Sequence, residues 1–244
     1  MFEPIPDVPA GIADCGIERA LVVADYHAGL EVGLRRDGVE VQSRADERCR
    51  TVHQLLDSYS VDRVIFLGDL GDSIGTPKRE ERAELRQLLK SVTDRVPVTI
   101  AKGNHDGGIE AVAGNIADIE ITDGSGLRIG HIGFCHGHMW PSDSVIAAPL
   151  LCTAHEHPLV RLHDEVGGRR TERVWVRGKI DPSGFDQYTT VGEEIVVCPA
   201  FNDLSGGTAV NEGDGFLSPF LPEGVRDGEV YLLDGTRLGP YRGV

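Results

Sequence analysis

The sequence predicts an α/β fold in which buried strands alternate with amphipathic helices. Five short apolar runs, rich in β-branched residues, have the length and composition of buried strands. They are LVVA (21–24), VIFL (64–67), VTIA (98–101), IGFC (132–135) and LCTA (151–154). Helical patterns follow the first two runs, and this alternation is typical of α/β proteins.

The first helical pattern covers SRADERCRTVHQLLDSY (43–59), whose apolar residues fall on one helical face. Ser43 with Asp46 resembles a capping box, so we predict that the helix begins there. A second helix is predicted to begin at Thr76-Pro77, with Thr as N-cap and Pro at the first position. Its buried face would comprise Ala83, Leu85, Leu88, Leu89 and Val92.

The part of the chain after about residue 160 reads as further strands. The helical signal fades there, and RTERVWVRGKI, EEIVVCPAF and EVYLLDG are separated by Gly and Pro turns. We expect these strands to complete the same domain, so that residues 1–244 form a single domain.

Composition excludes several classes of protein. The chain has 244 residues, 40% hydrophobic and 26% charged, which is typical of a globular protein and not of a disordered chain. No apolar run approaches the roughly 18 residues of a membrane span, and the acidic, Pro-rich N-terminus does not resemble a secretory signal. Five scattered cysteines without a C-x-x-C pair predict reduced thiols and a cytoplasmic location.

The formal net charge is −15, and only four residues are lysines. Such an acidic surface should repel nucleic acid at low salt. Near 1 M salt, however, the screening length falls to roughly 3 Å, so the charge does not exclude a nucleic-acid substrate. The composition resembles that of salt-adapted archaeal proteins; an ordinary acidic enzyme is the alternative.

Polar side chains follow each apolar run at the point where the predicted strand ends. The segments are Asp25-Tyr26-His27, Gly68-Asp69-Leu70-Gly71-Asp72, Lys102-Gly103-Asn104-His105-Asp106, His136-Gly137-His138 and His155-Glu156-His157. Because ligands bind at the carboxyl ends of strands in open α/β sheets, we expect these groups to converge in one crevice.

The residue types in this set favour a metal site. Imidazoles, carboxylates and an amide carbonyl give mixed N/O ligation without thiolate, which suits Mn, Fe or Zn. A carboxylate can bridge two ions, and two metals about 3.5–4 Å apart can bind a bridging hydroxide and a phosphoryl oxygen. The set therefore predicts two divalent ions and phosphate-ester hydrolysis.

The ordered motifs DYH, GDLGD, GNHD, HGH and AHEH, within residues 25–157, strongly resemble the calcineurin-like metallophosphoesterase superfamily. The resemblance implies a β-sandwich flanked by helices, with the metal site at the C-terminal strand ends. Two departures are visible. Ala154 stands where the family usually has Gly, and Tyr26 occupies the middle of the first motif, where we expect its side chain to point away from the metals.

The same resemblance implies a role for each motif residue. Asp25, His27 and His157 would hold the first metal; Asn104, His136 and His155 would hold the second; Asp69 would bridge them. The attacking species would be the metal-bridging hydroxide. His105 would protonate the leaving oxygen, and Asp72 would accept a hydrogen bond from that imidazole and orient it.

Candidates for substrate binding carry weaker signals. His138 either lines the pocket or closes a turn. Arg169, Arg170 and Arg177 belong to the densest basic stretch, which is either a solvated face or a patch for phosphate. Asn202 is placed at the metal edge by resemblance only. DYHAGLE, VWVRGK and PAFNDLSGG resemble the archaeal SbcD-related phosphoesterases, a branch related to DNA repair nucleases.

The leading functional expectation is a two-metal phosphodiesterase or nuclease with a phosphate-ester substrate, DNA and RNA included, and manganese as the favoured metal. A phosphomonoesterase or small-nucleotide phosphodiesterase is the alternative within the same class. A metal-binding scaffold without catalysis is the alternative of another class. The oligomeric state is not predicted.

Overall fold

Two mixed β-sheets pack face to face in the computed structural model, which describes residues 1–163, 167–212 and 215–244. The strands of the first sheet, in the order of their pairing, are β1 (Phe2–Pro4), β2 (Ala10–Asp14), β3 (Arg19–Ala24), β4 (Arg63–Leu67), β5 (Val98–Ala101) and β6 (Ile119–Thr122). Strands β3 to β6 run parallel, so their carboxyl ends meet at one edge.

The second sheet contains the remaining strands. They are β7 (Leu127–Ile129), β8 (Ile132–Phe134), β9 (Leu150–Thr153), β10 (Leu159–His163), β11 (Arg169–Ile180), β12 (Glu194–Val197), β13 (Val225–Leu232) and β14 (Arg237–Pro240). The pairing order is β14-β13-β11-β12-β9-β8-β7, with β10 on β11. Strands β8, β9 and β12 are parallel neighbours, so this sheet also gathers carboxyl ends at one edge.

Helices cover the outer faces of the two sheets. They are α1 (Leu30–Arg36), α2 (Ala45–Ser58), α3 (Arg79–Thr93), α4 (Glu110–Ala113) and α5 (Asp143–Ile146), with 3₁₀ turns at Pro182–Phe185 and Tyr241–Gly243. The first core cluster joins α2, α3 and α4 to the first sheet. A second lies between the sheets and includes Val22, Ile65 and Trp175. A third covers the outer face of the second sheet together with α5. Every helix in the described ranges is too short or too polar to cross a membrane.

The predicted α/β fold with two helix-flanked sheets is confirmed, and all five apolar runs form strands. The five strands divide between the two sheets of the expected sandwich: β3, β4 and β5 belong to the first sheet, and β8 and β9 belong to the second. The physical reason is that both faces of each sheet are apolar, so the sheets bury one face against each other.

Both predicted helices form, but each begins later than predicted. Helix α2 begins at Ala45, whose amide donates to the Ser43 hydroxyl (3.3 Å), so Ser43 makes a local turn before the helix. Helix α3 begins at Arg79, beyond Thr76-Pro77. The Glu81 carboxylate accepts hydrogen bonds from amides of the preceding loop, including that of Asp72 (3.0 Å), and this holds the loop non-helical.

A buried ion network fixes the segment that follows β3. The Arg48 guanidinium contacts Glu31 (2.6 Å) and Glu84 (2.6 Å) and lies 5.5 Å from the centre of the Tyr26 ring. Glu84 also accepts from the amide of Gly29 (2.9 Å). The Tyr26 side chain is buried among the helices, as expected, and the turn around it is tied to both α2 and α3.

Candidate metal centre

The motif residues come together from both sheets. In the first sheet, Asp25 and His27 follow β3, Asp69 follows β4, and the 103–106 turn follows β5. In the second sheet, His136 follows β8 and the 155–157 turn follows β9. The site therefore lies where the parallel edges of the two sheets meet. This is the crevice expected from the sequence, but its two walls belong to different sheets.

Backbone conformation is unusual at five of the motif residues. Asp25, His27, Asp69, His155 and His157 have φ angles of 49°, 46°, 44°, 71° and 44°. Non-glycine residues adopt this left-handed region at a cost of about 1–3 kcal/mol each, and such residues cluster at functional sites. The turns that follow the strands are therefore strained, and packing of the surrounding structure must hold their backbone in this conformation.

Two glycines allow the turns to approach one another closely. A Cβ atom on Gly68 would lie 2.1 Å from His136 Nδ1, and one on Gly103 would lie 2.1 Å from Asp69 Oδ1. Glycine is thus required at both positions for His136 and Asp69 to occupy their places.

The first cluster consists of Asp25, His27 and His157, whose potential ligand atoms lie within 4.8 Å of one another. His27 Nε2 is 3.3 Å from His157 Nε2, and His157 Nε2 is 3.2 Å from Asp25 Oδ1. The structure thus brings together the three residues that the sequence assigned to the first metal.

The second cluster consists of Asp69, His136 and His155. His136 Nε2 lies 3.3 Å from Asp69 Oδ2, and the His136 and His155 rings are 4.9 Å apart. His136 Nδ1 is also 3.6 Å from Asp25 Oδ1, which makes the two clusters adjacent. Asn104 is exposed in the turn between Gly103 and His105, and the His105 amide donates to Asp69 Oδ1 (2.9 Å).

Three of the histidines have a fixed ring orientation. His157 Nδ1 faces the carbonyl of Gly206 (2.8 Å), and His136 Nδ1 faces that of Leu67 (3.2 Å). His27 Nδ1 faces the Asp72 carboxylate (3.5 Å). Because a carbonyl only accepts, Nδ1 of His157 and of His136 carries the proton and Nε2 is left to bind a cation.

The residues present fit divalent cations. Within the described chain, the buried carboxylate oxygens of Asp25 and Nε2 of His136 make no hydrogen bond of good geometry. Buried polar atoms without partners are costly, and a cation at the clusters would satisfy them. Imidazole and carboxylate donors without thiolate match Mn, Fe and Zn.

The pKa values of the site reflect carboxylates that face imidazoles. Burial by itself would lower the pKa of His136, but the charge of Asp69 and the hydrogen bond with it outweigh burial and raise this pKa to about 9. Burial and the charge of His136 lower the pKa of His155 to about 4. The carboxylates therefore stabilise positive charge between them, and His155 stays neutral at pH 7 with a lone pair available.

His105 and Asp72 do not pair in the way the sequence predicted. The His105 ring donates from Nδ1 to the backbone carbonyl of Asp72, while the Asp72 carboxylate lies beside His27. The difference arises because the 71–73 turn, held by Glu81, points its carbonyl at His105 and its side chain toward β3. Asp72 therefore contacts both histidines, through different groups.

We expect Asp72→Asn to weaken metal binding by about 10–100-fold, since it removes the carboxylate that orients His27. The carbonyl that holds His105 is unchanged by this substitution. Titration calorimetry with Mn²⁺ measures the effect, and Asp186→Asn, at an exposed position, is the matched control. Wild-type metal affinity combined with lost turnover would instead support the sequence-based role, in which the Asp72 carboxylate acts on His105.

His138 lines the site beside the second cluster. Its ring is 5.3 Å from that of His136 and 6.1 Å from that of His155. Burial, followed by the charge of His136, lowers the pKa of His138. Of the two readings left open by the sequence, the placement favours a residue that lines the pocket.

Asn202 differs from its predicted role in substrate binding. The side chain is fully buried, and its amide donates to the carbonyls of His27 (3.2 Å) and Tyr26 (3.4 Å). The neighbouring Phe201 stacks on the Tyr26 ring, with centroids 5.7 Å apart. Asn202 therefore holds the turn that carries His27 and does not face the cleft.

Of the two readings left open for the basic stretch, the placement of its arginines does not favour a phosphate patch at the site. Arg170 pairs with Glu172, Arg169 lies opposite His163, and Arg177 lies in mid-sheet opposite Val196. Side chains alternate along a strand, so Arg170 points to the face opposite that of Arg169 and Arg177, and the latter two lie eight residues apart, about 26 Å along β11. A cleft of about 640 Å³ opens beside His27, His155 and His157, and the arginine that the described residues contribute to it is Arg161.

Sequence reasoning missed two buried carboxylates that hold the motif turns together. Asp106 accepts hydrogen bonds from the amides of Leu70 (3.0 Å), Gly71 (3.2 Å) and Gly103 (2.9 Å), and so joins the second and third motifs. Glu156 holds the loop on the other side of the site. Their positions inside the motifs GNHD and AHEH were the available signal, but their burial could not be inferred from it.

Comparison with known proteins gives a family match and 22 similar chains of solved structure. The model of the calcineurin-like phosphoesterase family matches residues 18–183. Nuclease MPE of Pseudomonas putida is similar, with 16% identity, 96% of this chain and 98% of that chain covered, and a TM-score of 0.55. The phosphoesterase YfcE of E. coli has 15% identity, 90% and 96% coverage, and a TM-score of 0.41. The comparison with curated proteins gives no match.

Proposed function

The chain belongs to the calcineurin-like phosphoesterase family and is a metal-dependent phosphoesterase; from this premise we propose that it hydrolyses phosphodiesters, those of nucleic acid included. The observation that carries the proposal is the pair of adjacent His/carboxylate clusters at the meeting edges of the sheets. Two adjacent cation sites suit displacement at phosphorus, where attacking and leaving oxygens both need stabilisation.

In this proposal Asp25, His27 and His157 would hold one cation, Asn104, His136 and His155 would hold the other, and Asp69 would be shared by both. Bound divalent cations, manganese by preference, would supply Lewis-acid charge for the phosphoryl group and the attacking water. Asp69 is suited to the shared position because it is buried and faces His136. Burial by itself would raise the pKa of Asp69, but the charges of His136 and His27 outweigh burial and lower this pKa, so the carboxylate stays ionised.

His105 acts as the general acid. Its Nδ1–H is held by the Asp72 carbonyl, so the imidazolium form presents Nε2–H, which lies 4.0 Å from Asp69 Oδ2 and close to the position proposed for the cations. A quarter of the His105 side chain is exposed, which leaves it accessible to a substrate. From there it donates a proton to the leaving oxygen.

We propose the finer assignment, to the SbcD-related branch, on the sequence segments DYHAGLE, VWVRGK and PAFNDLSGG. The first and third are in contact, because the Asn202 side chain donates to the carbonyl of His27 (3.2 Å). Arg173, just before VWVRGK, donates to the carbonyl of Ala200 (3.0 Å). We also propose that residues 1–244 form one domain, since β12 pairs with β9 and Trp175 packs between the sheets.

A phosphomonoesterase or small-nucleotide phosphodiesterase is the second candidate. The cleft beside the first cluster favours it, because about 640 Å³ is of the size that holds a small molecule.

Rates on bis-p-nitrophenyl phosphate, p-nitrophenyl phosphate, DNA and RNA, measured with Mn²⁺ at high salt, test the proposal. We expect two metal ions per chain and a faster rate on the diester. A strong preference for the monoester would support the second candidate. Two bound ions with no hydrolysis of any substrate would indicate a metal-binding scaffold.

A further inference from the structure

The cleft beside the first cluster has features that the proposed reaction does not use. Its floor is formed by His27, His155 and His157, and it extends from there along β10 to Arg161 and Glu212. From His157 to Arg161 the chain advances four residues, about 13 Å in extended conformation. The cleft is thus longer than a single phosphoryl group requires.

Leucine side chains from separate segments line the walls. Leu30 and Leu34 come from α1, and Leu204 and Leu217 come from the loops that follow β12. Leu217 is 59% exposed, so much of its apolar surface is open to a ligand in the cleft. Covering such surface with an organic group is favourable because it removes apolar area from water.

These walls are fixed before any ligand binds. The buried Glu156 carboxylate accepts from the amides of Leu217 (2.9 Å) and Ser218 (2.7 Å) and from the Thr208 hydroxyl (2.8 Å). The Leu159 amide donates to the carbonyl of Thr208 (2.9 Å). The loop therefore cannot leave the histidine turn without breaking buried hydrogen bonds, and the cleft is preorganised.

Arg161 lies at the far end of the cleft, where a ligand can replace the partner of its guanidinium. Its backbone forms two hydrogen bonds with the Asn211 side chain (3.0 and 2.9 Å), and its guanidinium pairs with Glu212. The side chains of this pair are 54% and 42% exposed, so the pair contributes little stability. A phosphate, with more charge and a bidentate geometry, can displace the Glu212 carboxylate from the guanidinium.

We propose that this cleft binds the organic group of the substrate and that Arg161 binds a second phosphate of the same molecule. The substrate class is then a short nucleotide chain with a terminal phosphate one nucleotide from the scissile ester. This inference rests on the proposed function, because the scissile phosphate is taken to lie at the metal clusters.

The dinucleotides d(TpT) and d(pTpT), which differ by one terminal phosphate, test it. Their dissociation constants are measured by titration calorimetry with Mn²⁺ in a His105→Ala background, where we expect both metals to be retained and turnover to be about 10²–10⁴-fold slower. The terminal phosphate should strengthen binding by about tenfold, which is the size of one charged hydrogen-bonded contact. Adding Arg161→Gln should reduce this advantage to within about twofold, and adding Glu212→Gln should enlarge it.

Arg237→Gln is the matched control, since Arg237 also pairs with a glutamate, Glu229 (2.7 Å), at the outer edge of the same sheet. It should keep the full advantage of d(pTpT). Equal binding of the two dinucleotides, or an advantage that survives Arg161→Gln, would overturn the inference. Hydrolysis of bis-p-nitrophenyl phosphate is measured separately, so loss of the proposed function is recognised apart from failure of the cleft proposal.

Discussion

Replacing Asp69 with Asn is expected to lower kcat by about 10³-fold and to weaken both metal ions. The substitution preserves shape but removes the charge that lies between His136 and the His105 amide. Metal-ion stabilisation of a phosphoryl transition state is worth several kcal/mol, and about 4 kcal/mol corresponds to this rate. Steady-state rates on bis-p-nitrophenyl phosphate and bound-metal analysis measure the two effects.

A readout that does not depend on activity comes from thermal unfolding. Mn²⁺ at a hundred times its Kd should raise the Tm of the native protein by about 5–10 °C, and this rise should shrink in Asp69→Asn. Asp57→Asn is the control, because Asp57 is exposed and pairs with Arg95 on the surface. Wild-type metal content together with wild-type turnover in Asp69→Asn would remove Asp69 from the shared position.

His105→Ala should retain both metals and lower turnover by about 10²–10⁴-fold. The His105 ring is held by the Asp72 carbonyl. His105 also forms a third group of potential ligand atoms with His27 and Asp72, but it belongs to neither of the two clusters assigned to the cations, so we expect its removal to leave both clusters intact. The loss should be larger for an alkyl leaving group than for p-nitrophenolate, because the poorer leaving group needs the proton more. Comparing the two leaving groups measures this dependence.

The control for this variant is His53→Ala, because His53 contacts Ser91 (2.9 Å) on the helical side of the molecule. It should change neither metal content nor rate. If His105→Ala hydrolyses both esters at the native rate, another group must protonate the leaving oxygen.

Much of the fold was predictable because its signals are local. A buried parallel strand needs a short β-branched run, and each of the five runs became a strand. Helix starts were less predictable. The Glu81 carboxylate accepts hydrogen bonds from amides of the loop before α3, so that helix begins later in the chain than its sequence pattern indicates. The N-terminal strands β1 and β2 were missed because they are short and contain or flank prolines, and their stability comes from pairing with β3.

The candidate site, like the fold, could be predicted from the sequence only in part. The types and order of the motif residues follow from the sequence, and the structure brings Asp25, His27 and His157 together as one cluster and Asp69, His136 and His155 as another. Roles that depend on where a side chain points did not follow. Asn202 turned out to be buried against the backbone of His27, 175 residues away, and the cleft arginine is Arg161 rather than one on β11.

The sequence by itself determined which chemistry the strand ends carry, because ligand type and strand burial are properties of short segments. Only the tertiary structure decided that two sheets share the site, that the Asp72 carboxylate faces His27, and that Glu156 fixes a leucine-lined cleft. These arrangements depend on contacts between segments far apart in the chain, and no local pattern specifies which face of one turn meets another.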